Sequence, residues 1–438
     1  MANCTTESLT PLDLLMPRAY VAGVLTFRTT ATTSTASQTL QDGLDALAKR
    51  FPFLTGHALP TSSSLEIRYS DAALTLLNKG SIEASYESLA GKNMPPSDIP
   101  MDVWPFSQAI DEATFKSGAP VFGASVFRFS DGRGIGVCVC IHHNVVDGTG
   151  FGEVLKLWTS LTTADVDVEV KGVDRLAQLE QALGARLVDA PADTDALFAK
   201  HPEYSKLPPA FPGEFPSCTS KVLAIPISRI ESIKSSSSKA LSTNTIVSAL
   251  LWAAITRARL QRNPGLATQS SRLATAVNGR RRISPDFSTD EKPYLSNVVM
   301  YALAHVAVQD LSPASTESVA KICEAIASSQ ASDKIDTSHI AEVYKLVTSV
   351  PDYRAMFPGW DLFSSRDLTI TSWADLDIYN SGFGPELGQP EFARVPYNEA
   401  DGVGMILPRK RGAEEKIEVM VMLRRDDMEA QEKDEIWT

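Results

Sequence analysis

The stretch that most constrains this chain is Ile141-His142-His143-Asn144-Val145-Val146-Asp147-Gly148. Ahead of it, Gly136-Val137-Cys138-Val139-Cys140 is β-branched and apolar, the pattern of a buried strand. Behind it, Gly148-Thr149-Gly150 opens onto Phe151-Gly152-Glu153-Val154-Leu155-Lys156-Leu157-Trp158, whose apolar residues recur at helical spacing. A strand that must be buried therefore meets a helix through a loop holding two histidines and a carboxylate. Loops carried on rigid elements are where chemistry is commonly placed. Side chains alternate along an extended chain, so His142 and His143 are expected on opposite sides, one facing a cleft and the other packing.

A length of 438 residues suggests two or three domains. The hydrophobic share of 43% and charged share of 21% are those of a soluble globular protein. A net charge of −12 argues against nucleic acid or anionic membrane as a partner. The five cysteines are sparse and odd in number, and Cys138 and Cys140 would share one strand face. That pattern reads as buried thiols in a reducing compartment, without a disulfide framework. Residues Met1 to Ser8 carry no secretory pattern, and no apolar run approaches the roughly 20 residues of a membrane span. A cytoplasmic protein is expected.

In chain order, Tyr20 to Phe27 reads as a strand, followed by a helix with Leu40, Leu44, Leu47 and Ala48 on one face. Pro120 to Phe129 and Gly134 to Ile141 form a hairpin around Ser130-Asp131-Gly132-Arg133. A helix is expected from about Val173 to Leu187. From Asp189 to Ser217 prolines accumulate, which reads as a linker between two halves. The division is 1–190 for the first lobe, 191–217 for the linker and 218–438 for the second lobe. The second half opens with a strand at Lys221 to Ile225, and Ser235 to Ser238 precedes a buried helix starting near Leu241. Strands are expected at Leu273 to Val277, Val298 to Ala307, Leu368 to Trp373, Gly402 to Leu407 and Lys416 to Leu423. Helices are expected at Thr316 to Ser329 and His339 to Val347.

Of the six histidines, His57, His142, His143, His201, His305 and His339, only His143 has an aspartate four positions on. One reading makes Asp147 a helix cap and His143 an ordinary loop residue. The other makes His143 a general base, because a neutral imidazole takes a proton near working pH. A metal site from His142, His143 and Asp147 is disfavoured, since opposite-facing histidines cannot easily share an ion. No Gly-x-Ser-x-Gly elbow is present, and Gly148, Gly150 and Gly152 lack the dinucleotide-binding spacing. Arg280-Arg281-Arg282 reads as local ion-pair or phosphate contacts in an acidic chain.

Taken together, these segments resemble the BAHD family of coenzyme A-dependent acyltransferases, in particular the fungal O-acetyltransferases of the trichothecene 3-O-acetyltransferase type. His143-Asn144-Val145-Val146-Asp147-Gly148 matches the family's His-x-x-x-Asp-Gly motif. Ser242-Thr243-Asn244, Ala249 to Trp252 and Arg257 to Arg259 match a characteristic helix. Val277 to Arg282 and Tyr294-Leu295-Ser296-Asn297 match its Asp-x-Arg-x-Arg and Tyr-x-Gly-Asn segments, with Asn278 and Ser296 as departures. Thr371-Ser372-Trp373 matches its Thr-Ser-Trp segment. The Asp-Phe-Gly-Trp-Gly signature falls on Gly382 to Glu386, where only Phe383 and Gly384 are kept.

The resemblance implies an α/β (α+β) protein of two chloramphenicol-acetyltransferase-like lobes. Each would be a mixed sheet flanked by helices, with a channel between them and a segment near 366–390 crossing back to the first lobe. It implies an O-acetyltransferase that transfers acetyl from acetyl-CoA to a hydroxyl of a specialised metabolite, by direct attack in a ternary complex and without a metal. His143 would be the base and Asp147 would pair with Arg280. Thr371 and Trp373 would serve the acceptor and the oxyanion, and Lys239 and Thr243 would contact coenzyme A. A monomer is expected, with small molecules as its partners. Two other readings stand beside it: a peptide-synthetase condensation-like enzyme fed by a carrier protein, and a catalytically silent binding protein on the same fold.

Overall fold

The strand ahead of the motif is Gly134–His142, and all nine of its residues are buried. It pairs antiparallel with Tyr20–Arg28 on one side and with Phe122–Phe129 on the other, so it occupies the centre of its sheet. The hairpin turn carries Gly132 at φ +65°, a conformation glycine adopts at little cost. The full sheet has five strands in the order Phe392–Arg394, Tyr20–Arg28, Gly134–His142, Phe122–Phe129, Leu76–Ile82. The helices Thr33–Arg50 and Gly148–Thr163 pack together on it, joined by a hydrogen bond from Trp158 Nε1 to the Leu40 carbonyl at 3.0 Å. The computed structural model describes residues 4–163, 174–187, 193–237, 240–289, 291–313, 315–361, 363–411 and 416–437.

A second, six-stranded mixed sheet is built from Cys218–Pro226, Lys416–Arg424, Val403–Ile406, Leu368–Ser372, Ser270–Asn278 and Val299–Ala307, in that order. Its core is organised around the helix Thr243–Arg262, which is buried almost continuously from Thr245 to Arg259. Ser242 caps that helix, its hydroxyl accepting from the Thr245 N–H at 3.0 Å. Smaller sheets join Thr5–Ser8 and Leu65–Tyr69 with His57–Pro60 and Ala119–Pro120, and Tyr204–Ser205 with Phe357–Pro358.

After Leu368–Ser372 the chain leaves the second sheet. Trp373, Ile378, Tyr379, Phe383 and Leu387 all lie in the first lobe's core, and Phe392–Arg394 pairs antiparallel with Tyr20–Arg28. Arg394 is buried and fixes this excursion. It donates to the carbonyls of Asn93 and Met94 and pairs with Glu418 of the second sheet at 3.0 Å. The altered signature sits on the same path. Phe383 meets Phe27 and Trp158 edge-on, at 5.3 and 5.6 Å between ring centres. Gly384 holds φ +81°, where a Cβ would lie 2.6 Å from Thr39. The two positions that match the family pattern are thus the two this packing needs. Glu386, a departure, accepts from the hydroxyl of Thr39 at 3.2 Å.

Two local expectations differ from the structure. The helix Ile227–Ser236 runs through part of the serine run, because Ile230 and Ile233 bury one face and Pro226 sets its start. The proline-rich stretch is not bare linker: it carries the helix Thr194–Lys200, capped by Asp193. The cysteines are free, and only Cys4 is exposed. Among the described residues no helix is long and apolar enough to cross a membrane.

Candidate active site

His142 is the last residue of the central strand and is fully buried. Its ring meets Tyr20 edge-on, and its Nδ1 accepts from the Asn144 N–H at 3.2 Å. Burial, aided by the neighbouring His143, pushes its pKa down to about 3, so this ring packs as a neutral group. His143 begins the loop, tied by its N–H to the Ala19 carbonyl at 2.9 Å. His143 is half-buried, and its Nδ1 is sealed from solvent with no hydrogen bond of its own. Burial lowers its pKa, while the Asp147 charge and the Asn297 side chain pull it upward.

Asp147 is buried, and both of its carboxylate oxygens are fully used. Oδ1 accepts from the Gly150 N–H and from Arg280 Nη2, each at 2.9 Å. Oδ2 accepts from Arg280 Nη1 at 2.9 Å and from the Val298 N–H at 3.0 Å. Asp147 is therefore a helix cap and an arginine partner at once. Arg280 is as completely used: Nε donates to the Tyr294 carbonyl at 2.8 Å, Nη2 to the Ser296 carbonyl at 2.6 Å, and Nη1 to Asn278 Oδ1 at 3.3 Å. Asn278 also accepts from the Arg280 N–H at 3.0 Å, so a neutral residue at the departure position still orders the arginine turn. With four acceptor sites filled, the carboxylate has none left for the His143 ring.

The neighbour of that ring is Asn297. Its Nδ2 donates to the His143 carbonyl at 2.9 Å and to Asp13 Oδ1 at 2.8 Å, and its N–H also reaches Asp13 at 2.9 Å. Asn297 Oδ1, His143 Nδ1, Asn144 Oδ1 and His142 Nε2 are buried polar atoms left without a hydrogen bond at this point. Asp13 is held in turn by a capping box with Thr10, its carboxylate accepting from the Thr10 N–H and hydroxyl at 2.9 Å. Burial raises its pKa, opposed by Arg175, Asn297 and Thr10. Asn144 closes the ring of contacts, donating to the carbonyls of Asp13 and Met16. In the sequence the Tyr294 to Asn297 segment matches a family pattern that assigns Asn297 no role, and Asp13 stands in no family motif. The local signal was Thr10-x-x-Asp13 ahead of an apolar pair.

A family model described as "Transferase family" matches residues 5–436. The chain belongs to this family, the BAHD acyltransferases. It is 26% identical to the trichothecene 8-O-acetyltransferase of Fusarium sporotrichioides, over 98% of this chain and 96% of the relative. It is 27% identical to the communesin N16 acyltransferase cnsK of Penicillium expansum, over 91% and 89%. The crystal structure of F. sporotrichioides TRI101 complexed with coenzyme A and T-2 superposes with a TM-score of 0.83 at 18% identity, over 99% of this chain and 98% of that one.

Of the other family segments, Thr371-Ser372-Trp373 reaches the motif helix through its tryptophan. Trp373 is buried and stacks on Phe151 of the motif helix, ring centres 5.1 Å apart. Two glycines allow that helix to start so close: a Cβ on Gly148 would lie 2.9 Å from Trp373 Nε1, and one on Gly150 2.2 Å from the Leu295 carbonyl oxygen. Thr371 is half-buried and pairs with Met405 within the second sheet. Thr243 is the first residue of the long buried helix, and among the described residues no hydrogen bond joins it to His143 or Asp147. Lys239 lies outside the described residues. A cavity of about 410 Å³ opens beside the motif, walled by Arg50, Phe53 and Arg175 from the first half and Tyr294 to Ser296 from the second. His143 is not part of its wall.

Proposed function

We propose that the protein is an acetyl-CoA-dependent O-acetyltransferase that esterifies a hydroxylated small molecule of specialised metabolism, with His143 as general base. The observation that carries this reading is the His143 loop. Its Nδ1 is sealed from solvent, which supports the Nδ1–H tautomer with the lone pair on Nε2, the nitrogen left to meet a substrate. Nε2 takes the proton of the acceptor hydroxyl as that oxygen attacks. The resulting imidazolium is favoured by the Asp147 charge, and it hands the proton to the leaving sulfur. Acetyl-CoA supplies the activated acyl group as a thioester. Thr243, the first residue of the Thr243–Arg262 helix, contacts coenzyme A. Thr371 and Trp373 serve the acceptor side, and Asp147 with Arg280 holds the loop in shape. The lobes divide at 1–190 and 218–438 around the 191–217 segment, and the enzyme works as a monomer on small molecules.

The test is labelled acetyl-CoA offered with hydroxylated metabolite extracts, products read by mass spectrometry. Wild type should give ester and free thiol, and His143→Ala should give none while keeping its melting temperature. Ester formation by the variant at the wild-type rate would remove His143 from the role of base. Turnover only with an acyl carrier protein would favour the condensation reading. Because one relative is named an N16 acyltransferase, an amine acceptor is the second reading, and base-labile product tells ester from amide.

A further inference from the structure

A second group of chemistry-bearing side chains lies outside the motif, where the segment between the lobes meets the second lobe. His201 follows the helix Thr194–Lys200 and is almost fully buried, as is Glu203 two residues on. His339 and Glu342 come from the helix Thr337–Ser349. His201 Nδ1 lies 3.0 Å from Glu203 Oε1, and His339 Nε2 lies 3.3 Å from the same oxygen. One ligand atom from each of the three, two imidazole nitrogens and a carboxylate oxygen, lies within 4.8 Å of the others. Among the described residues, no other group of three histidine, cysteine or acidic side chains meets that test.

We propose that His201, Glu203 and His339 bind a divalent transition metal of zinc's class, which ties the inter-lobe segment to the Thr337–Ser349 helix. Zinc takes imidazole and carboxylate ligands at about 2.0–2.2 Å, which puts ligand atoms roughly 3.3–3.5 Å apart in a tetrahedron. Two of the three pairs are already at or just inside that spacing, and a water fills the fourth position. The hydrogen bonding points the same way. His201 Nε2 lies 3.2 Å from Glu342 Oε2, while Lys200 occupies the other oxygen of that carboxylate. A neutral imidazole has only one N–H, so it cannot donate to Glu203 and Glu342 together. With Nδ1 on a metal and Nε2–H on Glu342, both contacts are satisfied, in the carboxylate–histidine–metal arrangement that orients ligating histidines. The metal-free alternative, an imidazolium between two carboxylates, leaves His339 Nε2 buried without a hydrogen bond. The site is remote in kind from the acyl-transfer residues and supplies no step to that reaction.

The experiment uses full-length, untagged protein in a Cys4→Ser background, which removes the exposed thiol as a competing ligand. After chelation and dialysis it is titrated with zinc sulfate by calorimetry, and with cobalt(II) by visible absorption. The expected result is saturable binding of one ion per chain, a cobalt d–d band of tetrahedral intensity, and a melting temperature raised by zinc. The 193–205 segment should also be cut more slowly by protease in the zinc form than in the chelated one. His339→Ala and Glu203→Gln should lose binding and the thermal shift. Glu342→Gln, which leaves the ligands in place, should bind about tenfold more weakly. Wild type without saturable binding would overturn the proposal. So would a folded His339→Ala protein, judged by circular dichroism, that binds zinc as wild type does. Should His339→Ala fail to fold, wild-type affinity in Glu342→Gln would overturn it equally.

Discussion

Asp147→Asn is the change that most directly examines the loop. The amide has the shape of the carboxylate but replaces one oxygen by a donor. In one orientation it faces Arg280 Nη1 and the Val298 N–H, and in the other it faces Arg280 Nη2 and the Gly150 N–H. Either way two of four hydrogen bonds are lost, and a guanidinium only 3% exposed loses its counter-charge. Removing one member of a buried ion pair costs about 3–5 kcal/mol. At roughly 2 °C per kcal/mol, the low end for large domains, the melting temperature should fall by ~6–10 °C. Differential scanning fluorimetry at a fixed scan rate reads this, since melting of a two-lobed protein is governed partly by rate. Arg280→Met should cost a similar amount, and the double variant should lose less than the sum by about 1–3 kcal/mol, because neither charge is then stranded. An Asp147→Asn protein melting within about 1 °C of wild type, or strictly additive losses, would refute the reasoning.

Three further outcomes are expected. Asn297→Ala should lower kcat by about 10²-fold with little change in the KM for acetyl-CoA, because the loop loses the amide that holds the His143 carbonyl and so places the ring; kcat within twofold of wild type would remove Asn297 from that role. His142 is held about 3, below its ordinary 6.5, so wild-type stability should fall as pH drops through the window from about 6.5 to about 3. In His142→Phe that acid loss should shrink by up to ~5 kcal/mol, measured as melting temperature against pH, and an unchanged acid limb would contradict it. Gly150→Ala should destabilise by ~1–3 kcal/mol or prevent soluble expression, since its Cβ would meet the Leu295 carbonyl; a wild-type melt would count against the tight approach described.

Much of this arrangement is legible in the sequence. The motif's strand and helix are local, written in runs of apolar residues, and they stand where periodicity put them. Arg280 could be named because a family pattern carried it, and the fork of hydrogen bonds to Asp147 spans 133 residues that no periodicity describes. Asn297 and Asp13 were harder. Their meeting joins positions 284 apart, and each sat in a segment that local rules read as turn or cap. His201 and Glu203 were hidden for a different reason: prolines marked their stretch as linker, whereas Asp193 starts a short helix and Tyr204 pairs with Pro358. The helix Ile227–Ser236 was missed because four serines outweighed an isoleucine stripe only two turns long.

The excursion of Trp373 to Arg394 into the first lobe bears on how the protein is made. Synthesis delivers the strands Tyr20–Arg28, Phe122–Phe129 and Gly134–His142 early, but the edge partner of Tyr20–Arg28 and the aromatic filling around Phe383 come roughly 230 residues after the motif helix. At about 5–20 residues per second, that is a wait on the order of ten to fifty seconds on the ribosome. Through it the nascent first lobe presents an unpaired strand edge and an unfilled core, the surfaces that chaperones shield and that otherwise recruit another chain. The first half therefore cannot mature as a separate module: cut away, shuffled or expressed alone, it would keep that edge open and its core unfilled.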